Sequence, residues 1–389
     1  MKKVIGISGC RSEYDILYSL FKKFRDDPDY DFSIIVTGTH LVDMFGYTIK
    51  EIEEDGFRII GKVHNLINSD RTIGKAKSSG LLLTGLSELL YEQNPDLVVV
   101  AADREESLVT GIACTYLEIP FIHLAAGDRT YPGEMSGDVD EQIRHATTKL
   151  ASIHVAFAKE HAERVIKMGE EPWRVCYSGN TALDRFNEIP SENRNEILKY
   201  FGFETNNKPL ILVIQHVISS EHKSGSDKIL TTLSALQEID VNIIVNYPNS
   251  DMGSQGIINI IESYREKPRF RITKNIPRYY FANLLRNIDV LIGNSSLAFL
   301  EGSYLSLPAI NIGNRQKERL HGGNVVFVDY DKKEISETVK KVIFNQEFNN
   351  KLKDCKQIYG NGKASSIIIE YLKNLNKSRE QLVSKNITY

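Results

Sequence analysis

The chain is poor in the features that mark extracellular, membrane-spanning and nucleotide-cofactor proteins. It has only four cysteines among 389 residues, and none of them stands in a C-x-x-C pair. Such scattered cysteines favour reduced thiols over disulfides or a zinc site. No apolar run is long enough to cross a bilayer, and the first residues lack the apolar core of a signal peptide. We therefore expect a soluble, cytoplasmic protein.

Clusters of charge, metal ligands and glycine are also scarce. Lysine and arginine number 48, aspartate and glutamate number 51, and the formal net charge is −3. Without a Lys/Arg block, neither nucleic acid nor a membrane surface is expected as a partner. The histidines lack ligand spacing, and the glycines near Gly6 and Gly9 do not form G-x-G-x-x-G. Neither a metal ion nor a cofactor is predicted.

Short apolar runs alternate with amphipathic helical stretches along almost the whole chain. This alternation predicts parallel sheets covered by helices on both faces. The chain is too long for one ordinary core, so the predicted fold class is α/β with two Rossmann-like, doubly wound domains. The strand candidates are Val4–Ser8, Phe32–Thr37, Leu97–Ala101, Phe121–Leu124, Ile153–Phe157, Leu210–Gln215, Val241–Asn246, Phe270–Thr273, Asp289–Ile292, Ala309–Ile312 and Val325–Val328. The predicted helices include Glu13–Arg25, Ser78–Gln93, Glu105–Leu117 and Val139–Leu150.

A polar turn around Gly179 is predicted to separate the two domains. The N-terminal domain then takes residues 1–179 and carries the catalytic acids, and the C-terminal domain takes residues 180–363. Residues 364–389 form the last segment, in which a helix from about Ala364 to Leu375 is expected to pack back on the first domain, followed by a tail. The polar tail after Lys377 is expected to fray.

In open α/β sheets, ligands bind beyond the carboxyl ends of the strands, so the residues that follow each strand are the site candidates. The most informative segment follows the strand that begins at Asp289. Asn294, Ser295 and Ser296 precede a helix predicted over 297–305. The free N–H groups of a helix start and two hydroxyls favour phosphate. Glu301 lies one turn on, within reach of a sugar hydroxyl. A plain Ser-capped helix is the alternative.

Three further loops of the second half carry polar side chains beyond a strand. His216 ends the strand that begins at Leu210, and Asn249 and Asp251 follow the next strand. The side chains of Asn249 and Asp251 suit a sugar or a ribose, or else are plain turn residues. Arg315 lies in a basic loop close to the predicted phosphate site.

The first half offers three strand-end candidates. Arg11 follows the first strand, where a guanidinium suits a phosphate oxygen or simply faces solvent. His40 follows the second strand, and a lone histidine is more often structural. Asp103 ends a buried apolar strand, where a carboxylate is costly unless it is paired or functional. The alternative to a functional role is that Arg104 simply neutralises the Asp103 carboxylate.

The segment after Phe121–Leu124 is dense in titratable groups. Asp128, Glu134 and Asp140 lie within it, and Arg144 stands one helical turn after Asp140 on the same face. Its position beyond a strand favours a site, and a surface ion pair is the alternative.

Taken together, these motifs resemble the UDP-N-acetylglucosamine 2-epimerase family, and within it the hydrolysing branch that feeds sialic-acid-type sugar synthesis. The resemblance covers nearly the whole chain. It implies a glycosyltransferase-B-like fold with an active-site cleft between the domains, a UDP-sugar substrate, and a homo-oligomer (dimer or tetramer). The motifs that carry it are Gly9-Cys-Arg11, Asp103-Arg104 with Glu106, the run 137–150, Gly293-Asn-Ser-Ser296 with Glu301, and the run 310–317.

The resemblance also implies roles. Ser295, Ser296 and Glu301 would hold diphosphate and ribose, with Arg11 reaching to phosphate. The active-site groups would be Asp103, Asp140, Arg144 and His216.

The sequence departs from the family in one motif. The family pattern is His, apolar, Glu, Gly, Gly, Glu, whereas this chain has His123-Leu-Ala-Ala-Gly-Asp128. Ala125 therefore replaces an acid, and Asp128 and Glu134 are the candidates to take its place.

The reaction implied by the resemblance converts UDP-N-acetylglucosamine to N-acetylmannosamine and UDP, through elimination to a 2-acetamidoglucal and rehydration. Three alternatives stay open. They are the same reaction on UDP-N,N'-diacetylbacillosamine in a legionaminic acid pathway, a non-hydrolysing epimerase, and a glycosyltransferase of the same fold. Arg11-Ser-Glu13, in place of the Arg-Pro-Glu of the branch that keeps the UDP-sugar, favours hydrolysis.

Overall fold

The computed structural model describes residues 1–67, 69, 71–130, 139–217, 224–248 and 253–389. The chain divides into two compact units. The first comprises Met1–Asp128, Val139–Arg185 and Tyr359–Tyr389, and the second comprises Arg129–Asp138 and Phe186–Ile358. Besides the changes at either end of Arg129–Asp138, the chain changes units after Arg185 and again at Tyr359, whereas the sequence suggested boundaries at 179 and 363.

The predicted α/β class is confirmed. The strands are β1 Lys2–Ser8, β2 Tyr30–Thr37, β3 Ile59–Val63, β4 Leu97–Ala101, β5 Phe121–Leu124, β6 Ile153–Ala156, β7 Val175–Tyr177, β8 Leu210–Ile214, β9 Asn242–Asn246, β10 Phe270–Thr273, β11 Val290–Gly293, β12 Ala309–Ile312 and β13 Val325–Val328. The helices are α1 Arg11–Asp26, α2 Ile49–Glu54, α3 Thr72–Gln93, α4 Glu105–Tyr116, α5 Val139–Leu150, α6 Lys159–Lys167, α7 Ala182–Glu188, α8 Arg194–Tyr200, α9 Gly225–Gln237, α10 Ser254–Glu262, α11 Arg278–Asn287, α12 Leu297–Leu300, α13 Lys332–Phe344, α14 Gln346–Lys353, α15 Ala364–Asn374 and α16 Arg379–Val383.

The sheet of the first unit has the strand order β3-β2-β1-β4-β5-β6-β7, and its strand pairs are parallel. The order reverses between β1 and β4, which is where ligands bind in doubly wound sheets. Leu82, Leu86 and Leu90 recur at helical spacing on α3 and belong to one hydrophobic core with Val98 and Val100 of β4. The core therefore fixes the loops that follow β1 and β4.

The second unit repeats this plan with a parallel sheet in the order β10-β9-β8-β11-β12-β13. The order here reverses between β8 and β11. Gly293 ends β11 with φ +133°, and a Cβ on it would stand 1.9 Å from the carbonyl oxygen of Ile214. Only glycine permits this close approach of the two strand ends.

The expectation that the chain frays after Lys377 is wrong. Helix α16 follows a capping box at Ser378. The Lys385 ammonium then donates to the carbonyls of Lys149 and Ala151, at 2.7 and 2.6 Å, and lies 2.7 Å from Glu170. Carbonyls at the end of a helix attract a cation, so the end of α5 anchors the segment.

None of the helices in the described ranges has the length and apolar character needed to span a lipid bilayer.

Candidate functional site

Asp103 follows β4 and forms an ion pair with Arg144 of α5. The Arg144 side chain is 1% exposed, and its guanidinium also lies 2.6 Å from Glu141. Burial opposes the charge, but Asp103, Asp128 and Glu141 together raise the pKa of Arg144 above its usual value. In the described part of the chain Arg144 forms ion pairs with Asp103 and Glu141, whereas the sequence spacing suggested Asp140 as its partner. Asp140 lies half-buried in the first turn of the same helix.

Asp128 lies in the loop after β5 and is 2% exposed. Its carboxylate is 3.4 Å from the Nε2 atom of His161, on α6. Gly127 has φ +75°, and a Cβ on it would stand 2.3 Å from the carbonyl oxygen of His161. Arg164 donates to the carbonyl of Gly127. Helix α6 therefore holds this loop, and no pattern in the sequence marked His161 as a neighbour of Asp128.

Two buried acids, Glu13 and Glu106, lie beside the loop after β1, and neither was singled out as a site residue from the sequence. Glu13 accepts a hydrogen bond from the Gly9 N–H at 2.9 Å. Burial, followed by repulsion from Glu105, raises the pKa of Glu106 to about 7. Burial, followed by repulsion from Glu106, raises the pKa of Glu13 well above its usual value. Arg104, which the sequence suggested as a partner of Asp103, lies 3.7 Å from Glu106.

Arg11 and His40 occupy different environments. Arg11 opens α1, its side chain is 21% exposed, and it lies 3.7 Å from Glu51. His40 is fully buried, with Nε2 2.9 Å from the Ser8 hydroxyl and Nδ1 2.7 Å from the Thr48 hydroxyl. Burial lowers the pKa of His40 to about 4, so the ring is neutral at pH 7. This placement favours a structural role for His40 over direct contact with substrate.

In the second unit, Asn294 joins the ends of β8 and β11. Its side-chain oxygen accepts from the His216 N–H at 2.7 Å, and its side-chain nitrogen donates to the His216 carbonyl at 3.0 Å. Asn294 is 0% exposed. Although predicted as a ligand contact, its side chain is therefore occupied in positioning His216.

The helix predicted over 297–305 is wrong beyond Leu300, where α12 ends. A Cβ on Gly302 would stand 2.4 Å from the Ala298 carbonyl, and Asn324 donates to that carbonyl at 3.0 Å. The Ala298 carbonyl is therefore bonded to Asn324, and the helix does not continue through it. A helix this short has little macrodipole.

The backbone donors before α12 are nevertheless available. Within the ranges that the structure describes, the backbone N–H groups of Ser295 and Ser296 have no hydrogen-bond partner. Arg315 donates to the Asn294 carbonyl at 3.3 Å, and Glu301 is 9% exposed nearby in the chain. The second unit thus brings His216, Asn294, Ser295 and Arg315 to one edge of its sheet.

Glu134, Asn249 and Asp251 lie outside the described residues, and their roles stay predictions.

The two parallel sheets, each with its order reversed beside the first strand of its unit, define a protein of two Rossmann-like units. Solved structures share this fold. The UDP-GlcNAc 2-epimerase of Neisseria meningitidis, bound to UDP-GlcNAc, matches 95% of this chain and 99% of its own with a TM-score of 0.81 and 20% identity. A putative UDP-N-acetylglucosamine 2-epimerase of Listeria monocytogenes matches 97% and 98% with a TM-score of 0.81 and 19% identity.

The sequence profile described as UDP-N-acetylglucosamine 2-epimerase matches residues 22–373. The chain belongs to this family, as the motifs predicted. A UDP-N,N'-diacetylbacillosamine 2-epimerase (hydrolyzing) of Legionella pneumophila is 32% identical over 375 residues, which are 96% of each chain. A GDP/UDP-N,N'-diacetylbacillosamine 2-epimerase (hydrolyzing) of Campylobacter jejuni is 30% identical over 84% of each chain. A UDP-N-acetylglucosamine 2-epimerase of Neisseria meningitidis is 28% identical over 88% of this chain and 87% of its own.

Proposed function

We propose that this chain is a hydrolysing 2-epimerase that acts on a UDP-linked 2-acetamido sugar and releases UDP and the free sugar epimerised at C2. The observation that carries the proposal is Asp103. Its carboxylate follows a buried strand beside the point where the strand order reverses, is 23% exposed, and is held by the buried Arg144. A carboxylate that is both fixed and accessible suits proton abstraction.

The substrate that the relatives favour is UDP-N,N'-diacetylbacillosamine, because the relatives at 32% and 30% identity are named for it. UDP-N-acetylglucosamine is the second candidate, supported by the relative at 28% identity. In either case the released sugar would feed synthesis of a sialic-acid-type sugar.

The elimination step needs a base at C2. Asp103 takes the C2 proton, the electron pair forms the C1–C2 double bond, and the bond from C1 to the UDP oxygen breaks. Water then adds at C1 while C2 is protonated on the opposite face. A positioned acid or base contributes about 10²–10⁴-fold to such a step. Arg144 keeps the Asp103 carboxylate in place.

The departing UDP carries the developing negative charge. The N–H groups of Ser295 and Ser296, with Arg315, Arg11 and His216, are the donors proposed for it. Each preorganised donor on developing charge is worth about 2.7–4 kcal/mol. Glu301 would accept from a ribose hydroxyl.

The reaction also needs an acid that protonates C2 from the other face. The acid that the family motif has at this position is replaced here by Ala125. Asp128 and Glu134 are the candidates to supply it. Within the described residues, the Asp128 carboxylate lies 3.4 Å from the buried imidazole of His161, which supports Asp128. Asp140, at the start of α5, is proposed as a further active-site carboxylate.

Incubation with each UDP-sugar in deuterated water tests the proposal. We expect UDP release, with deuterium at C2 of the free sugar, and faster turnover of UDP-N,N'-diacetylbacillosamine. A product that keeps UDP would indicate a non-hydrolysing epimerase, and transfer with protium retained at C2 would indicate a glycosyltransferase. Absence of UDP release from both substrates would refute the function.

The variant Asp103→Asn should lose turnover and still bind UDP, since it removes the base and leaves the second unit intact. Asp26→Asn is the matched control, because Asp26 is 51% exposed on α1 and pairs only with Arg25 in the described structure.

A further inference from the structure

A buried carboxyl group fills the space that side chains would need at two glycines of the first unit. The Glu106 side chain is 5% exposed. A Cβ on Gly9 would stand 2.1 Å from its Oε1 atom, and a Cβ on Gly38 would stand 2.7 Å from the same atom. Gly9 follows β1 and Gly38 follows β2, so the loops of two neighbouring strands close over one carboxyl group.

Glu13 provides a second carboxyl group at the same loop. Its Oε2 atom accepts from the Gly9 N–H at 2.9 Å. Within the part of the chain that the structure describes, the Oε1 atom of Glu13 and the Oε2 atom of Glu106 are buried and accept no hydrogen bond. A buried carboxylate without such bonds is costly, and two neighbouring carboxylates do not both ionise readily. These two residues, here called the acid pair, are therefore expected to retain one proton.

The charged and titratable groups around the acid pair come from three helices. Cys10 lies at the start of α1 beside Glu13, Arg104 and Glu105 lie at the start of α4, and Lys75 lies on α3. Arg104 and Lys75 favour the ionised carboxylate of Glu106, but burial and Glu105 outweigh them and raise its pKa to about 7. Glu106 is therefore the member of the pair expected to ionise near neutral pH.

The acid pair also supports the loop that leads to Arg11. The Gly9 carbonyl accepts from the His40 N–H at 3.3 Å and from the Thr39 hydroxyl at 3.2 Å, while its N–H is held by Glu13. Arg11 begins α1 two residues later. Any charge that appears on the pair lies beneath this loop.

We propose that Glu13 and Glu106, both buried against Gly9, retain one proton between them beneath the loop Gly9–Arg11. Loss of this proton weakens the binding of a nucleoside diphosphate. The inference rests on the proposed function, in which Arg11 contacts the diphosphate. A negative charge introduced under the loop competes with the diphosphate for the guanidinium and repels it. Glu106 and Glu13 act here as positioning residues, through the loop.

Calorimetric titration with UDP between about pH 5.5 and 8.5, a range that brackets ordinary histidine and raised carboxyl pKa values, tests the proposal. We expect the Kd of the wild type, relative to that of Glu106→Gln, to rise about tenfold with a midpoint near pH 7. The β-phosphate of UDP itself ionises at about pH 6, and the ratio of the two Kd values removes that contribution. Glu88→Gln, at an exposed position of α3, is the matched control and should follow the wild type.

A ratio that stays constant with pH, in a protein that binds UDP, would overturn the inference and leave the proposed function standing. Failure of every variant to bind UDP would instead refute the proposed function. Urea unfolding then tests whether the acid pair retains a proton in the folded protein. Because the folded pKa of Glu106 is raised, wild-type stability should fall relative to Glu106→Gln as pH rises from about 4.5 to 7. Parallel curves would overturn the inference, and Glu13→Gln serves both measurements if Glu106→Gln does not fold.

Discussion

Replacing Arg144 by methionine should test whether the Asp103–Arg144 pair organises the first unit. Methionine keeps much of the length of the arginine stem and removes the cation, so the cavity left behind is small. The carboxylates of Asp103 and Glu141 then lose their shared partner. The expected result is a loss of stability together with a loss of turnover.

The magnitude follows from the burial of the three groups. The Arg144 side chain is 1% exposed, whereas those of Asp103 and Glu141 are 23% and 20% exposed. Breaking a buried pair by removing one partner costs about 3–5 kcal/mol. Because both carboxylates keep some contact with solvent, we expect the lower end, about 3 kcal/mol. Turnover should fall further than stability alone explains, since Asp103 loses its fixed position.

Urea unfolding followed by tryptophan fluorescence measures the effect. The chain contains a single tryptophan, Trp173, and it lies in the first unit, so its signal reports the unit that holds Arg144. Arg58→Met is the matched control. Arg58 and Asp31 pair at the surface with exposures of 55% and 34%, and an exposed pair contributes at most about 1 kcal/mol.

A second variant separates the ion pair from simple packing. If unpaired charge causes the loss, Arg144→Met combined with Asp103→Asn should recover part of it. The reasoning would be wrong if Arg144→Met lost no more stability than Arg58→Met, or if the double variant were the sum of its two single variants.

Two further perturbations probe the other supports of the site. Asn294→Ala removes both hydrogen bonds to the His216 backbone and should cost about 2 kcal/mol and lower kcat for UDP release, and an unchanged kcat would separate His216 from the chemistry. Lys385→Met removes the donor that joins the carbonyls at the end of α5 to Glu170, and should lower the stability reported by Trp173 by about 2 kcal/mol. The curve of Lys385→Met would coincide with that of the wild type if the C-terminal segment contributed nothing.

The fold was readable from sequence where strands are buried on both faces. Leu97–Ala101 is a continuous apolar run and Ala309–Ile312 is apolar apart from Asn311, and the structure gives both strands the predicted bounds. Strand β3 was missed because Ile59–Val63 is a half-exposed edge strand interrupted by Gly61, which leaves only a short, broken pattern. Strand β7 was missed because it has just three residues.

Site residues could be predicted from the sequence where a polar residue follows a strand. They could not be predicted where two segments distant in sequence come together. Asp103 and Arg144 were each predicted as site residues, but their pairing spans 41 positions and depends on how α5 packs. Glu106 escaped because its burial is produced by Gly9 and Gly38, in two other loops. His161 was missed because it meets Asp128 only through the packing of α6 against the loop after β5.

The over-long helix after Ser296 shows a limit of local signals. Leu297 to Leu305 has a good helical composition, yet the side-chain amide of Asn324, just before β13, donates to the Ala298 carbonyl. Tertiary contacts therefore overrode the intrinsic preference of the segment.

The first unit is completed by contacts between Arg174 and the C-terminal segment of the chain, which is translated last. Arg174 donates to the backbone carbonyls of Gln381, at 3.0 Å, and Leu382, at 2.8 Å, and residues of the second unit are translated between them. Domains otherwise tend to fold in the order in which they leave the ribosome. Here the first unit has all seven strands of its sheet but lacks its closing segment, Tyr359–Tyr389, while the second unit emerges and folds. A nascent chain stalled before Tyr359 should therefore carry a folded second unit beside a first unit that is still sensitive to protease.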